Sequence, residues 1–298
     1  MTRVLGNSGA PRWYDCNRER FGAYLDLLEE CSATSAEVVL HDGEADEFTS
    51  RIHVLRPDWE PVIQRYRDRG LDVFVHGPLT PEFSPLSWTE NPRGTLARYQ
   101  PVLRQVAEIA ENQSYSTLVL HGLADPHLEQ PDNERRTGEF LDTIAEQLGR
   151  WTDKVTVAIE LRAFRDERPR AAATTRGSVL RVVGYTRHPA IGICWDVAHD
   201  FESHIVRGSR WKAPERAFLD RVRHLHIHDL GHDDEPHCPP TIGRVPLGDA
   251  ISALPDLPIT MEVRWRMAER MGDPWEILRQ SYDAVRGLDT AGSGSAGK

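Results

Sequence analysis

KVTVAIEL (154–161) is a run of apolar and β-branched residues that closes on a carboxylate, Glu160, and the next such run, AIGICWD (190–196), closes on Asp196. Short stretches this dense in Val and Ile read as strands of a parallel sheet buried on both faces. The pattern repeats outward from this pair. RVLGNS (3–8), AEVVLHD (36–42), LDVFVHG (71–77) and STLVLHG (116–122) precede it; VRHLHIHD (222–229) and PITMEVR (258–264) follow. Between them lie amphipathic segments such as RERFGAYLDLLEEC (18–31), PVIQRYRDRG (61–70), TLARYQPVLRQVAEIAEN (95–112) and ERRTGEFLDTIAEQLGRW (134–151), with apolar residues at three- and four-residue steps. Strand followed by helix, eight times, predicts an α/β fold: a single-domain (β/α)8 TIM barrel over residues 1–289. The last residues, TAGSGSAGK (290–298), read as a flexible tail. A doubly wound open sheet is the rival, but it would call for a glycine-rich phosphate turn after an early strand, and GNSGAP (6–11) is a poor match to GxGxxG.

With 298 residues, 39% of them hydrophobic, the chain can bury one large core. No apolar stretch has the length of a signal peptide core or a membrane span, which predicts a soluble, cytoplasmic protein with no membrane partner. The four cysteines (16, 31, 194 and 238) show no CxxC spacing and receive no role. A net charge of -10, from 36 basic and 46 acidic residues, argues against a general nucleic-acid binder, since phosphate contacts need positive charge. Two segments run against that charge. RAFRDERPRAAATTR (162–176) carries Arg162, Arg165, Arg168, Arg170 and Arg176, and VRGSRWK (206–212) has three cations and no acid. Both follow strand ends, so an anionic substrate is expected there.

The strand ends carry the chemistry. FVHG ends on His76, LVLHG on His121, VAIEL on Glu160, GICWDVAH on Asp196 and His199, and ITMEV on Glu262. In a TIM barrel these ends face one mouth. Carboxylate and imidazole together suit zinc, manganese, iron or cobalt. A carboxylate directly after VAI or ITM needs a cation to offset its burial. Either a metal supplies it, which we favour, or Arg162 and Arg264 do. On the seventh strand, His224, His226 and His228 share one face by the two-residue period, with His226 midway beside the carboxylates. PLTPEFSPLSWTENPRG (78–94) follows the third strand, and its Phe83 and Trp88 either cover the substrate or pack on the helical ring. Trp195 and Trp265 are out of phase with the neighbouring acids and are expected to pack outward.

The ordered set IEL (159–161), WDVAH (195–199), HIHD (226–229) and MEV (261–263), with VHGPL (75–79) and LVLHG (118–122) ahead of it, resembles the xylose isomerase-like barrel superfamily. That superfamily includes sugar isomerases and epimerases, inosose dehydratases and the endonuclease IV type of repair enzyme. The resemblance implies that Glu160, Asp196, His226 and Glu262 are a shared metal quartet, and that Glu160 and Glu262 also shuttle a proton next to a carbonyl. The nuclease branch would add His76, His121 and His199, and would complete a third site from the loop GHDDEPHCPPTIG (231–243), which holds His232, Asp233, Asp234 and His237. That loop does not reproduce the branch's Asp-x-His segment, and GNSGAPRW lacks its early GxHxS.

Three readings follow, in order. The first is a divalent-metal-dependent isomerase, epimerase or related lyase of a small polyhydroxylated, anionic substrate. It uses one ion, with Arg162, Arg264 and His228 binding substrate and His76, His121, His199 and His237 holding either substrate or further metal. The second is a phosphodiesterase or abasic-site endonuclease with two or three zinc ions, the one reading that brings in nucleic acid. The third is a non-catalytic small-ligand binder. A homo-oligomer is compatible with all three.

Overall fold

A computed structural model of the protein describes residues 5–7, 18–39, 60–78, 83–164, 170–254 and 256–293. Its eight strands are β1 (Leu5–Asn7), β2 (Ser35–Val39), β3 (Asp72–His76), β4 (Ser116–Leu120), β5 (Val155–Glu160), β6 (Ile191–Asp196), β7 (Val222–Ile227) and β8 (Ile259–Met261). They form one parallel sheet in the order β1-β8-β7-β6-β5-β4-β3-β2. β1 and β2, the two ends of that order, lie against each other, so the sheet curls into a barrel. All eight runs that the sequence marks as strands are strands, and the helices between them form the outer ring. The four amphipathic segments become helices α1 (Arg18–Glu30), α2 (Glu60–Arg67), α4 (Pro92–Glu111) and α5 (Gln130–Leu148).

The core lies mainly between sheet and helices, where alternate strand residues such as Val73, Val75, Leu118, Val157, Ile159 and Ile193 meet Leu103, Val106, Phe140 and Ile144. The barrel interior is different. Its apolar content is a small separate layer of Val119, Ala158 and Cys194 together with Phe74, whose ring lies edge-on to His224, and many of the remaining inward positions are polar. Register decides what faces that interior, because a one-residue slip turns every side chain over. Glu160 pairs with Cys194 across β5 and β6. Between β6 and β7 the register shifts at Ile193/Cys194, so β7 carries one extra residue and Asp196 comes level with His226. Without that irregularity the histidines of β7 would be out of phase with Asp196.

Three side features correct or resolve the sequence expectations. The C-terminal helix α11 (Pro274–Ser293) runs into the stretch expected as tail. Phe83 is buried against Tyr99, and Trp88, on α3 (Pro85–Glu90), packs near Phe140, so this aromatic pair belongs to the helical ring. Ser84 accepts the Ser87 N–H at 3.2 Å and starts that helix. Trp195 points outward and is fully buried against Phe218. Cys31, Cys194 and Cys238 are buried free thiols; Cys16, Arg165 and Arg168 lie outside the described residues.

Candidate metal centre at the barrel mouth

Consecutive strands deliver the candidate side chains to one place. His76 and Glu160 are the last residues of β3 and β5, Asp196 the last of β6, His121 and Glu262 come one residue after β4 and β8, and His226 lies near the end of β7. One ligand atom from each of Glu160, Asp196, His226 and Glu262 falls within 4.8 Å of the other three. Asp196 and His226 are fully enclosed and Glu160 is 3% exposed. Among the described residues no arginine is ion-paired with these three carboxylates; their charged or chargeable partners are histidines.

The contacts are specific. Glu160 Oε2 lies 2.7 Å from His121 Nε2 and 3.2 Å from His76 Nε2. His226 Nδ1 lies 3.4 Å from Glu262 Oε1. Asp196 has two roles: Oδ1 accepts the His199 N–H at 2.8 Å and caps α7 (Val197–Val206), while Oδ2 is 3.3 Å from His228 Nε2 and 3.7 Å from His199 Nε2. Asp196 Oδ2, His226 Nδ1 and His228 Nε2 are buried without a hydrogen-bond partner among the described residues. Orphaned buried acceptors cost free energy, and a shared cation would satisfy them together. Three carboxylates and one imidazole form a donor set that fits a divalent ion of the zinc, manganese, iron or cobalt type.

The electrostatics agree with that fit. Burial alone would raise the Glu160 carboxyl, but His121 and His76 hold it well below the ordinary range. Burial likewise opposes ionisation of Glu262, and His226 and His237 pull it down against that. Burial, helped by Arg162, lowers His121 to about 4. Burial, with His228 beside it, pushes His237 well below its usual value. His226 goes the other way: Cys194, Glu262 and Glu37 outweigh burial and raise it well above normal.

Two further groups flank the quartet. His76, His121 and Glu160 present atoms within 4.8 Å of one another, and so do His199, His228 and His237. The second group depends on Asp229, whose carboxylate accepts the N–H groups of Leu230, Gly243, Arg244 and Val245 and ties down the loop that carries His237. His237 itself has φ of 62°, in the left-handed region. Glu202 orients His199 through Nδ1 at 3.3 Å. His228, expected to bind substrate, is fully buried within this group. Arg162 and Arg264 are half-buried and close enough to His121 and His237 respectively to lower them.

The cationic segments split. Arg176 is committed to the buried Asp200 at 2.5 Å and to the Lys212 carbonyl, so it is not free to meet a substrate, whereas Arg170 makes only an exposed ion pair with Glu129. Arg210 and Lys212 line a groove with Phe201, Trp211 and Arg244.

One buried group escaped the sequence reading. Glu37, on β2, has its Oε2 2.9 Å from His226 Nε2. The signal was a lone acid inside AEVVLHD.

Residues 23–286 match the model of the family described as xylose isomerase-like TIM barrel. The chain belongs to that family. Among curated proteins, none matches it in sequence. Among solved structures, an L-ribulose 3-epimerase superposes with a TM-score of 0.68 at 14% identity, covering 99% of this chain and 97% of that one. A D-allulose 3-epimerase from Methylomonas sp., in complex with D-allulose, gives 0.64 at 14% identity, covering 97% and 98%. A probable 3-DHS dehydratase involved in petrobactin synthesis, from Bacillus anthracis, gives 0.63 at 14% identity, covering 95% and 98%. At such identities these similarities establish the shared barrel.

Proposed function

We propose that this family member is a divalent-metal-dependent isomerase or epimerase acting on a small polyhydroxylated substrate. The observation that carries the reading is the convergence of Glu160, Asp196, His226 and Glu262 within 4.8 Å, with two ionised glutamates in the set. One divalent ion held by these four residues would polarise the carbonyl and hydroxyl oxygens of a bound sugar.

The remaining work falls to the side chains. One carboxylate, ionised, takes a proton from the carbon next to a carbonyl, while the other, having taken up a proton from solvent, delivers that proton to the opposite face. Exchange with solvent then restores both; Glu160 and Glu262 are the pair. His121, kept neutral by burial and Arg162, can hydrogen-bond a substrate hydroxyl without adding charge. Arg210 and Lys212, beside Trp211, offer an anionic group of the substrate a place at the rim.

Ketoses are the first substrates to test, since the solved neighbours include 3-epimerases of ribulose and allulose. With metal-loaded protein in deuterated water, deuterium is expected at the carbon next to the ketose carbonyl. Its absence across a panel of ketoses and their phosphates, at saturating metal, overturns the reading.

The two flanking groups favour a second reading, a phosphodiesterase with two or three ions. Binding of more than one ion per chain, together with cleavage of abasic-site DNA at catalytic protein concentrations, would put it first. Among the described residues no helix is long and apolar enough to cross a membrane.

A further inference from the structure

Beneath the four candidate ligands lies a second polar tier inside the barrel, made of Glu37, His224 and Thr260. Glu37 and His224 have side chains with no exposed surface. His224 Nε2 is 2.8 Å from Thr260 Oγ1 and 3.6 Å from Glu37 Oε2. Glu37 Oε2 is 2.9 Å from His226 Nε2, and its other oxygen, Oε1, has no hydrogen-bond partner among the described residues. The two nitrogens of His226 therefore face different carboxylates. Nε2 points down to Glu37, and Nδ1 points up to Glu262 in the quartet.

We propose that Glu37 is the positioning residue of the metal centre: it accepts the Nε2–H of His226, fixes that tautomer, and so presents the bare Nδ1 to the ion. The proposal rests on the quartet reading above. A neutral imidazole has one N–H and one lone pair, and a carboxylate can only accept. If Nδ1 carried the proton instead, the Nε2 lone pair would face the lone pairs of Glu37 Oε2 at 2.9 Å with no water between them. That arrangement is repulsive, so the buried acid selects the other tautomer. Burying a carboxylate that makes so few hydrogen bonds is costly, and an apolar residue would fill the same layer more cheaply. Metal-bound histidines commonly donate their second N–H to such a group, and losing that partner typically weakens metal binding 10–100-fold.

The test compares wild type with Glu37→Gln and Glu37→Leu. Apparent zinc affinity and stoichiometry are read by chelator competition, and folding by circular dichroism. Long-range 1H–15N spectra of histidine-labelled metal-free protein, taken at a pH high enough for His226 to be neutral, report its tautomer directly. The Gln amide oxygen can still accept Nε2–H, so Glu37→Gln is expected to bind zinc within a few-fold of wild type. Glu37→Leu is expected to lose roughly 10–100-fold at unchanged stoichiometry. His226 in wild type is expected to be protonated at Nε2.

An Nδ1–H tautomer, wild-type affinity in Glu37→Leu, or equal losses in both variants would each overturn the proposal. Should Glu37→Leu fail to fold, the wild-type tautomer still decides. A wild type that binds no zinc, manganese or cobalt would instead sink the quartet reading and leave the tautomer measurement standing on its own.

Discussion

Asp196 Oδ1 accepts the backbone N–H of His199 at 2.8 Å while its Oδ2, 3.3 Å from His228 Nε2, has no hydrogen-bond partner among the described residues. One carboxylate thus starts a helix and leaves an acceptor pointing into the candidate metal site. The two roles separate by substitution. Asn is as good a helix cap as Asp, so Asp196→Asn should keep the fold and lose the charge that holds metal. Asp196→Ala should lose both, with a further cost of about 1 kcal/mol from the missing cap. Metal content after dialysis and thermal unfolding of the metal-free proteins measure the two effects. Full metal occupancy in Asp196→Asn would remove Asp196 from the ligand set.

Glu262 is 12% exposed at its side chain, against 4% for Glu160, so of the two proton-transfer candidates it is the one more open to the mouth. Glu262→Gln preserves shape and removes the base. At saturating metal it should slow solvent deuterium incorporation into a ketose by about 10²–10⁴-fold. A rate within a few-fold of wild type would assign the proton transfer elsewhere.

His121 gives a pH dependence whose sign is fixed. Its folded value, about 4, lies below the unfolded value of about 6.5. Between those values the unfolded chain takes up a proton that the folded site refuses. The His121 contribution to stability is therefore present above about pH 6.5 and is lost as pH falls toward 4. In metal-free protein, His121→Asn should flatten the stability curve across that window. The Glu160 contribution, from a carboxyl held below its usual range, is lost only below about pH 4.3 and stays outside it. Denaturant midpoints at stepped pH check this, and a variant with the same slope as wild type would show that His121 titrates normally.

Where the sequence succeeded and failed has physical reasons. Buried parallel strands need unbroken apolar runs, so β3 to β8 could be read directly, and a metal-capable residue at each run's end stood out against them. Glu37 did not, because it sits inside its strand rather than at the end, and its partner is 189 residues away across the barrel. The extra residue of β7 that levels Asp196 with His226 was equally hidden: strand register is a property of pairs, and a single run carries no trace of it. Charge was misleading in a different way. Arg176 looked available to a substrate, yet Asp200 and the Lys212 carbonyl hold it, a commitment visible only when strand ends and helix starts are brought together.

Asp229, the last residue of HIHD, follows the candidate ligands without joining them. Its two oxygens accept four backbone N–H groups, from Leu230 at 2.8 Å, Val245 at 3.0 Å, Gly243 at 2.5 Å and Arg244 at 3.2 Å. Its backbone also exchanges hydrogen bonds with Cys238, next to His237. Asp229→Asn puts an amide donor against part of that set of donors, whichever way the amide turns. Leaving buried donors unpaired should cost about 1–3 kcal/mol, read as a lowered denaturant midpoint in metal-free protein. The Asp229 carboxylate touches none of Glu160, Asp196, His226 or Glu262, so affinity for the first ion should stay within a few-fold of wild type. Binding that depends on His237 should weaken, because the loop that delivers it has lost its clamp. A variant in which first-ion affinity falls as far as in Asp196→Asn would show that the loop and the quartet are one unit rather than two.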